Sequence, residues 1–342
     1  MRVADSTTSR NYLKYLNKAK YDIAQTTKRI ASGNRFTAIS EDVSAGTKVL
    51  RSRMDLYKAE KQLDNVQSIN DELTTTEATL TTMNDILAEV HSAKLVKGMS
   101  ESTGESGRVA IANEIKALKE QVLSLANTKY GKKFLFGGSN ASFSAPFAAN
   151  NAGELTYNGI KVDDIEQDTD GSFFYRDALD AKRPIPRDDD VYMDIGLGLR
   201  MQGTDTDGET AFKISYSGLQ ILGFGKDADG NSNNIYTVLN DIEAALRSGD
   251  MDKLGELDNQ IVKLSDKFLG NITEIGAKTS YLDVMETRLT NETDAYKSRI
   301  DRLMGTDDAE EASTQTMNDY VLKAVLQMGA NILPASLLDY LR

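Results

Sequence analysis

The sequence contains no cysteine and no tryptophan, and it has a single histidine, His91, among its 342 residues. Without cysteine the chain can form no disulfide bond, no thiolate nucleophile and no cysteine-ligated metal site. One histidine also excludes a metal site built from several imidazoles. These absences remove several common classes of enzyme and metalloprotein, and we expect no cofactor.

Long hydrophobic runs are missing as well. The chain has no run of about 18 apolar residues, so we expect no membrane span. The segment Met1–Arg10 is polar and does not resemble a secretory signal peptide. The formal net charge of −12 argues against nucleic acid or an anionic membrane as a partner.

Proline is scarce, and both proline and charge divide the chain in the same way. Residues 1–149 carry a net charge of +5, residues 150–250 carry −11, and residues 251–342 carry −6. Two long segments without proline flank a middle that is rich in glycine and Asp-Gly turns. This arrangement predicts helical flanks and a β-rich insert. The four prolines are Pro146, Pro184, Pro186 and Pro334.

The C-terminal flank carries an apolar heptad. Counting by sevens from Leu254 reaches an apolar residue at every step as far as Leu303. A sustained period of seven predicts a long supercoiled helix, about 75 Å in length, that needs partner helices. Its predicted core residues are Leu254, Ile261, Phe268, Ile275, Leu282 and Leu289.

Two stripes in the N-terminal half are candidate partners for this helix. One runs from Val66 to Val90 and the other from Ile111 to Leu125, with the spacing of one helix face. The glycine-rich stretch between them predicts a turn. An intermolecular coiled coil is the alternative use of the same stripes. The predicted core residues of the first stripe are Val66, Leu73, Leu80 and Leu87.

Both ends of the chain also carry apolar helical stripes. These ends either dock on their own rod or become ordered only in an assembly, and the pattern alone favours neither. The predicted assembly-interface residues are Leu13, Leu16, Ile23, Ile30, Met317, Val321, Met328, Ile332, Leu337, Leu338 and Leu341.

The sequence therefore predicts a mainly α protein with a β-rich insert. Its N- and C-terminal segments are expected to form a long coiled-coil helical rod, with a small antiparallel β domain inserted at the tip. The predicted boundaries are 1–40 and 306–342 for the terminal helices, 41–138 and 232–305 for the rod, and 139–231 for the β-rich outer domain.

Three possible sites in the sequence were weighed. Residues 166–177 approach the spacing of a calcium loop. The first position is Glu166 rather than an aspartate, and the last is Asp177 rather than a glutamate, so a solvated β-turn is favoured. The aspartate run 188–190 is interpreted as a solvated loop. His91 has no obvious acidic partner and is interpreted as a surface or cap residue. No nucleophile–base pair stands out, so we expect no enzyme activity.

Several stretches resemble the bacterial flagellin family. Near the N-terminus, Arg29–Arg35 (RIASGNR) followed by Glu41–Gly46 (EDVSAG) is similar to the family's RLSSG-R and DD-AG motifs. Further on, Leu125–Thr128 is followed by Gly131–Gly138 (GKKFLFGG) and by Ala145-Pro146-Phe147. This pattern, like the C-terminal LLDYLR, resembles the flagellin-like proteins of the hook–filament junction more than the filament proteins.

The resemblance covers residues 1–147 and 232–342 and implies a structural function. It implies an inner core made by the two chain ends, a surrounding rod and an outward-facing insert. The implied partners are other copies in a ring, a hook-associated protein on the hook side, and flagellin or a second junction subunit on the filament side.

The resemblance also implies a route and a location. Such proteins are extracellular, are exported by the flagellar type III apparatus, and often have a chaperone that holds the C-terminal helix. No nucleic acid or membrane partner is implied. Two alternatives stay open, namely a flagellin that builds the filament and a calcium-binding surface adhesin.

Overall fold

The computed structural model divides the chain into two compact units, and each is described by itself. Unit 1 comprises Met1–Glu60 with Thr290–Arg342, and unit 2 comprises Lys61–Leu289. The structure describes residues 2–139, 144–150, 153–169, 171–198, 200–202, 205–206, 211–227 and 230–332.

Long helices account for most of the described chain, and no described helix has the length and apolar character needed to cross a membrane. Helices α2 and α7 contribute residues to both units. The helices are α1 (Arg2–Ser32), α2 (Val43–Glu89), a π-helical turn (Val90–Leu95), α3 (Val96–Gly98), α4 (Glu105–Ala126), α5 (Gly218–Leu222), α6 (Ile235–Ser248), α7 (Met251–Met304) and α8 (Asp308–Ile332).

The core of unit 2 forms where α2 and α7 run antiparallel. Asn70 donates to Asp283 at 2.9 Å, and Ser265 donates to Asn84 at 2.9 Å, which fixes the direction of the two helices. All ten predicted core residues lie in one hydrophobic cluster and are almost completely buried. Each fully buried leucine or isoleucine contributes about 1.5–3 kcal/mol. The predicted fold class, mainly α with a β-rich insert, is confirmed.

Helix α6 was not expected as a separate element. It begins after Asn234, whose side chain accepts hydrogen bonds from the backbone of Tyr236 and Thr237, and it ends at Gly249 in the left-handed conformation. These two caps explain why a helix of only 14 residues forms here. Helix α6 packs on α4, where the buried Lys119 bonds to Asn240 and Glu243.

Short antiparallel strands build the rest of unit 2. Strands β3–β4–β5 and β6–β7–β8 form two three-stranded sheets, and three two-stranded sheets pair β1 with β2, β9 with β12 and β10 with β11. Asn158-Gly159 turns the chain between β4 and β5 with positive φ at both residues, as a two-residue hairpin loop requires.

The strand bounds place β1 and β2 before the predicted insert. The strands are β1 (Lys129–Tyr130), β2 (Lys133–Phe134), β3 (Phe147–Ala149), β4 (Leu155–Tyr157), β5 (Ile160–Lys161), β6 (Ile165–Gln167), β7 (Phe173–Arg176), β8 (Lys182–Pro184), β9 (Tyr192–Met193), β10 (Met201–Gln202), β11 (Asp205–Thr206) and β12 (Phe212–Lys213).

Unit 1 contains a second, smaller cluster. Phe36 and Val49 are buried against Ile300 and Leu303 near the end of α7. Helix α2 begins where Asp42 accepts a hydrogen bond from the backbone of Ala45 at 2.9 Å. Helices α1 and α8 form the remaining part of unit 1 and carry the predicted assembly residues.

Candidate assembly surface

Helices α1 and α8 lie antiparallel along a seam that is mostly polar. Arg29 lies 3.4 Å from the Glu311 carboxylate, and Asn318 donates to Thr26 Oγ1 at 2.9 Å. The next contact along the seam is Tyr12 against Gly329, where a Cβ would overlap with the tyrosine ring. The two helices can approach closely at this position because Gly329 has no side chain.

Few large side chains are buried in this seam. On α1 the buried residues are Ala19 and Thr26, while Leu16 and Ile23 are half-buried. A cavity of about 570 Å³ remains between the two helices, lined among others by Ala19 and Val325. The pair therefore gains little from hydrophobic burial, which is the principal source of stability in the core of unit 2.

The predicted stripe on α8 is largely exposed in unit 1, although Val321 and Met328 also line the cavity between α8 and α1. Met317 is 64% exposed and Met328 is 58% exposed, and Val321 between them is exposed too. On α1, Leu13 is 54% exposed and Ile30 is also exposed. The predicted α8 stripe thus leaves apolar surface exposed in unit 1. Leu13 and Ile30 of the α1 stripe do the same. The side chain of Ile332, and Leu337, Leu338 and Leu341, lie outside the described part.

A further exposed stripe on α2 was not predicted. Val43, Leu50, Met54 and Tyr57 follow one another at intervals of seven, four and three residues, so they lie on one helix face. All four are exposed, with Met54 62% exposed. The helical spacing of these four residues is visible in the sequence. The stripe ends at Tyr57, shortly before the first predicted core residue, Val66, so the sequence pattern does not separate the two stripes.

The possible calcium loop is an ion-paired sheet. Glu166 lies 3.3 Å from Arg176, Asp177 lies 3.0 Å from Arg183, and Asp168 pairs with Lys182. Asp170 lies outside the described residues. Among the described residues no three potential metal ligands come together. Each described carboxylate of the motif is thus held by a cation of this sheet.

The interpretation of the aspartate run as a solvated loop was wrong for Asp188. This carboxylate accepts hydrogen bonds from the Tyr157 hydroxyl at 2.6 Å and from the Ser217 hydroxyl at 2.9 Å. Burial raises the pKa of Asp188 above its usual range, against the lowering effect of these two donors. Asp190 lies 2.6 Å from Lys213. Long-range partners of this kind are invisible in a local pattern.

His91 does have an acidic partner. Its Nδ1 lies 2.6 Å from the Asp258 carboxylate on α7, a residue 167 positions away in the chain. His91 lies in the π-helical turn, so the pair joins this turn to α7 within unit 2. The expectation that His91 lacks an acidic partner was therefore wrong, whereas its side chain is 44% exposed, as expected of a surface residue.

Comparison with known proteins assigns the N-terminal part of the chain. Residues 3–141 match the model of the bacterial flagellin N-terminal helical region. This part of the chain is therefore similar to the bacterial flagellin family. The flagellin N-terminal region thus comprises α1, α2, the π-helical turn, α3, α4 and the β1–β2 hairpin. It includes the exposed stripe on α2 and one of the two helices of the polar seam.

Solved structures with a similar fold exist. A proposed flagellar hook-associated protein of Vibrio parahaemolyticus is 16% identical, with a TM-score of 0.59 over 77% of this chain and 99% of that one. FlgL of Bacillus cereus is 20% identical, with a TM-score of 0.48 over 74% and 99% of the two chains. The flagellar junction protein FlgL of Legionella pneumophila is 15% identical, with a TM-score of 0.47 over 75% and 100%. No curated protein sequence matches the chain.

Proposed function

We propose that this protein is a non-enzymatic structural subunit of the bacterial flagellum that joins the hook to the filament. The observation that carries the proposal is the flagellin N-terminal region at residues 3–141. The fold is shared with a Vibrio protein whose name is that of a flagellar hook-associated protein, and this name is consistent with a junction role.

Assembly occurs through the ends of the chain. Residues 1–40 and 306–342 form an inner core in which the outward stripes of α1 and α8 are covered by neighbouring copies in a ring. Apolar surface of this extent on one helix face is a liability in a monomer and is typical of an interaction site. The predicted residues Leu337, Leu338 and Leu341 belong to the same proposed interface.

The other segments have separate roles. Residues 41–138 and 232–305 form the surrounding rod, and residues 139–231 form the outer domain. One face of the ring contacts a hook-associated protein, and the other contacts flagellin or a second junction subunit. The protein is exported by the flagellar type III apparatus, and a chaperone holds its C-terminal helix before assembly.

A pair of substitutions on the outward stripe tests the assembly role. M317S together with M328S removes two exposed apolar side chains, so the free chain keeps its helical content while cells lose attached filaments. L179S is the matched control, because Leu179 is exposed in the β-rich part of unit 2. In a deletion strain that carries each variant, we expect complete hooks with shed flagellin for the double variant and normal flagella for L179S.

A larger change complements these point variants. Deleting residues 310–342 leaves unit 2 folded, as circular dichroism and limited proteolysis will show, and abolishes filament attachment. Normal flagella on cells that produce only the deleted chain contradict the proposed role of the C-terminal helix. Loss of folding in unit 2 contradicts the separation of the core from the terminal helices.

The second candidate is the filament subunit itself. The match to the bacterial flagellin N-terminal helical region favours it as well. The two functions differ in self-assembly. Purified filament subunits polymerise into long filaments when seeded, whereas a junction subunit stays short, and electron microscopy of the seeded protein decides between them.

A further inference from the structure

A large groove in unit 2 is not used by the proposed function. It lies between α7, the β6–β7 hairpin and residues 224–227 and 231–233, and its volume is about 980 Å³. Ligand pockets commonly enclose about 300–1,000 Å³. The groove therefore has room for a ligand as large as a short oligosaccharide.

One face of α7 forms a wall of this groove. Residues three and four positions apart lie on the same side of a helix, and five polar residues follow that spacing here. They supply three ammonium groups, one carboxylate and one carboxamide. These residues are Lys253, Glu256, Gln260, Lys263 and Lys267.

The carboxylates that line the groove are already partnered within the chain. Their negative charge is therefore balanced or hydrogen-bonded before any ligand arrives. The pairs are Glu166 with Arg176 at 3.3 Å, Asp163 with the Ser232 hydroxyl at 2.5 Å, Glu256 with Lys253 at 3.2 Å, and Asp227 with the backbone N–H of Asn231 at 2.8 Å.

Of the four lysines that line the groove, Lys253 is in an ion pair, whereas Lys226, Lys263 and Lys267 form none with the described residues. Lys267 Nζ lies 5.6 Å from the centre of the Phe224 ring, and burial lowers the pKa of this ammonium group. Lys263 and Lys267 are both exposed to solvent and have no counter-charge among the described residues, so they are available to pair with an anionic ligand.

Three carboxamides of the groove leave acceptor oxygens available, whereas the Asn231 oxygen already accepts from Lys253 at 2.6 Å. Gln167 donates to the Gly171 carbonyl at 3.0 Å, and Asn259 donates to the Gly255 carbonyl at 3.0 Å. Gln260 donates to the Ser232 carbonyl at 2.5 Å. These bonds fix the three amide groups, and their oxygens accept no hydrogen bond from the described residues. Such oxygens suit a ligand that carries several hydroxyl groups.

The Phe224 ring adds an apolar surface to this polar wall. Its edge-to-face contact with Phe173, with ring centres 4.9 Å apart, holds the ring in place, and the side chain stays half-exposed where it lines the groove. An aromatic ring of this kind can pack against the C–H face of a sugar.

We propose that this groove binds an acidic oligosaccharide. Lys263 and Lys267 bind the carboxylate, the Phe224 ring packs on the apolar face of a sugar ring, and the carboxamide oxygens accept hydrogen bonds from its hydroxyls. This binding is a further activity of unit 2 and does not depend on the structural function proposed above.

The test uses the full-length chain and trigalacturonic acid, with calorimetry at pH 7 and low salt. Maltotriose serves as the neutral saccharide and inorganic phosphate as the simple anion. We expect the acidic trisaccharide to bind at least about ten-fold more tightly than either, because maltotriose lacks the carboxylates and phosphate lacks the sugar rings and their hydroxyls.

Charge-matched variants locate the site. K263Q with K267Q is expected to weaken binding of the acidic trisaccharide at least ten-fold. K116Q with K132Q removes the same charge from exposed lysines outside the groove and is expected to leave binding unchanged. N259A removes one acceptor and is expected to weaken saccharide binding several-fold without affecting phosphate.

Several results overturn the proposal. They are equal affinity for the acidic and neutral trisaccharides, equal loss in both double variants, and phosphate binding as tight as saccharide binding. Absence of any heat change with the acidic trisaccharide at millimolar concentration overturns it as well. Normal flagella on cells with K263Q and K267Q are expected, so failure of this proposal and failure of the structural one are distinguishable.

Discussion

The antiparallel helix pairs of the two units use the same spacing with different residues. In unit 2, α2 and α7 bury leucine, isoleucine and phenylalanine at heptad positions. In unit 1, Tyr12, Ala19 and Thr26 lie seven residues apart on the side of α1 that faces α8. Glu311 and Asn318, also seven residues apart, lie on the side of α8 that faces α1. Residues at heptad spacing therefore form the helix contact in both units. The contribution of each contact to the free energy of folding depends on whether these residues are large and apolar or small and polar.

The polar seam also contains groups that lack a partner. Glu311 Oε2 and Gln315 Oε1 are buried and accept no hydrogen bond from the described residues. A buried polar atom of this kind costs about 1–3 kcal/mol. The α1–α8 pair is thus a marginal contact within one chain, which agrees with the proposal that these helices become stable in an assembly.

The largest expected difference between the two regions is in hydrogen exchange. In a verified monomer, amides in residues 1–35 and 310–342 are expected to exchange at least about a thousand-fold faster than those at 261–285, because local opening of a weakly packed pair costs little. Exchange followed by mass spectrometry measures this ratio. Slow exchange of both terminal helices in the monomer contradicts the comparison.

A core substitution in unit 2 measures the contribution of the apolar seam. L282A removes a fully buried side chain and is expected to lower the free energy of unfolding by about 2–5 kcal/mol. L269A is the control on the same helix, because Leu269 is 48% exposed, and is expected to change stability by no more than about 0.5 kcal/mol. Urea unfolding of unit 2 provides both values, and similar losses count against the assigned core.

A substitution in the polar seam works in the opposite direction. Q315L replaces a buried, unsatisfied amide by an apolar side chain of similar size, so we expect the α1–α8 pair to gain about 1 kcal/mol. This gain corresponds to about five-fold slower exchange of the α8 amides. Q327L, at an exposed position of α8, is the control. Faster exchange in Q315L than in the unchanged chain refutes the assignment of Gln315 to the seam.

The smallest effect concerns pH and the half-buried carboxylate of Asp188, which accepts one hydrogen bond at each oxygen. Burial raises the pKa of Asp188 in the folded state, so the folded chain binds the proton of this carboxyl group more tightly than the unfolded chain does. The resulting stability is present below the unfolded pKa of about 3.9 and is lost as pH rises through the folded pKa.

The substitution D188N removes this titration. The stability of the unchanged chain relative to D188N is therefore expected to fall as pH is raised from 4 to 7, in thermal unfolding of unit 2. D189N is the control, because Asp189 is exposed. A difference between the two chains that is independent of pH shows that Asp188 does not titrate as expected.

The sequence predicted the parts of the fold that depend on local periodicity. The heptad from Leu254 to Leu289 was long enough to identify both α7 and its buried face. Helix α6 was missed because its apolar stripe spans only 14 residues and is set by caps at Asn234 and Gly249. A short stripe next to a long one does not stand out in a pattern.

The candidate assembly surface was predicted in part. Met317, Val321 and Met328 were identified as a stripe, and they are exposed. The seam was missed because its members are small or polar, and a search for apolar periodicity passes over Ala19 and Thr26. The partners of Asp188 and His91 depend on residues far away in the chain, so no local rule predicts them.

The π-helical turn at Val90–Leu95 accommodates a mismatch between the apolar pattern and the helix. Leu87, Val90 and Leu95 are fully buried, yet the last two are five residues apart, where an α-helix would turn Leu95 away from the core. A π-helical turn bonds residues five apart, and its wider turn returns Leu95 to the buried side. A local change in helical pitch thus absorbs one surplus residue, so the chain keeps its buried surface continuous without a break in the backbone.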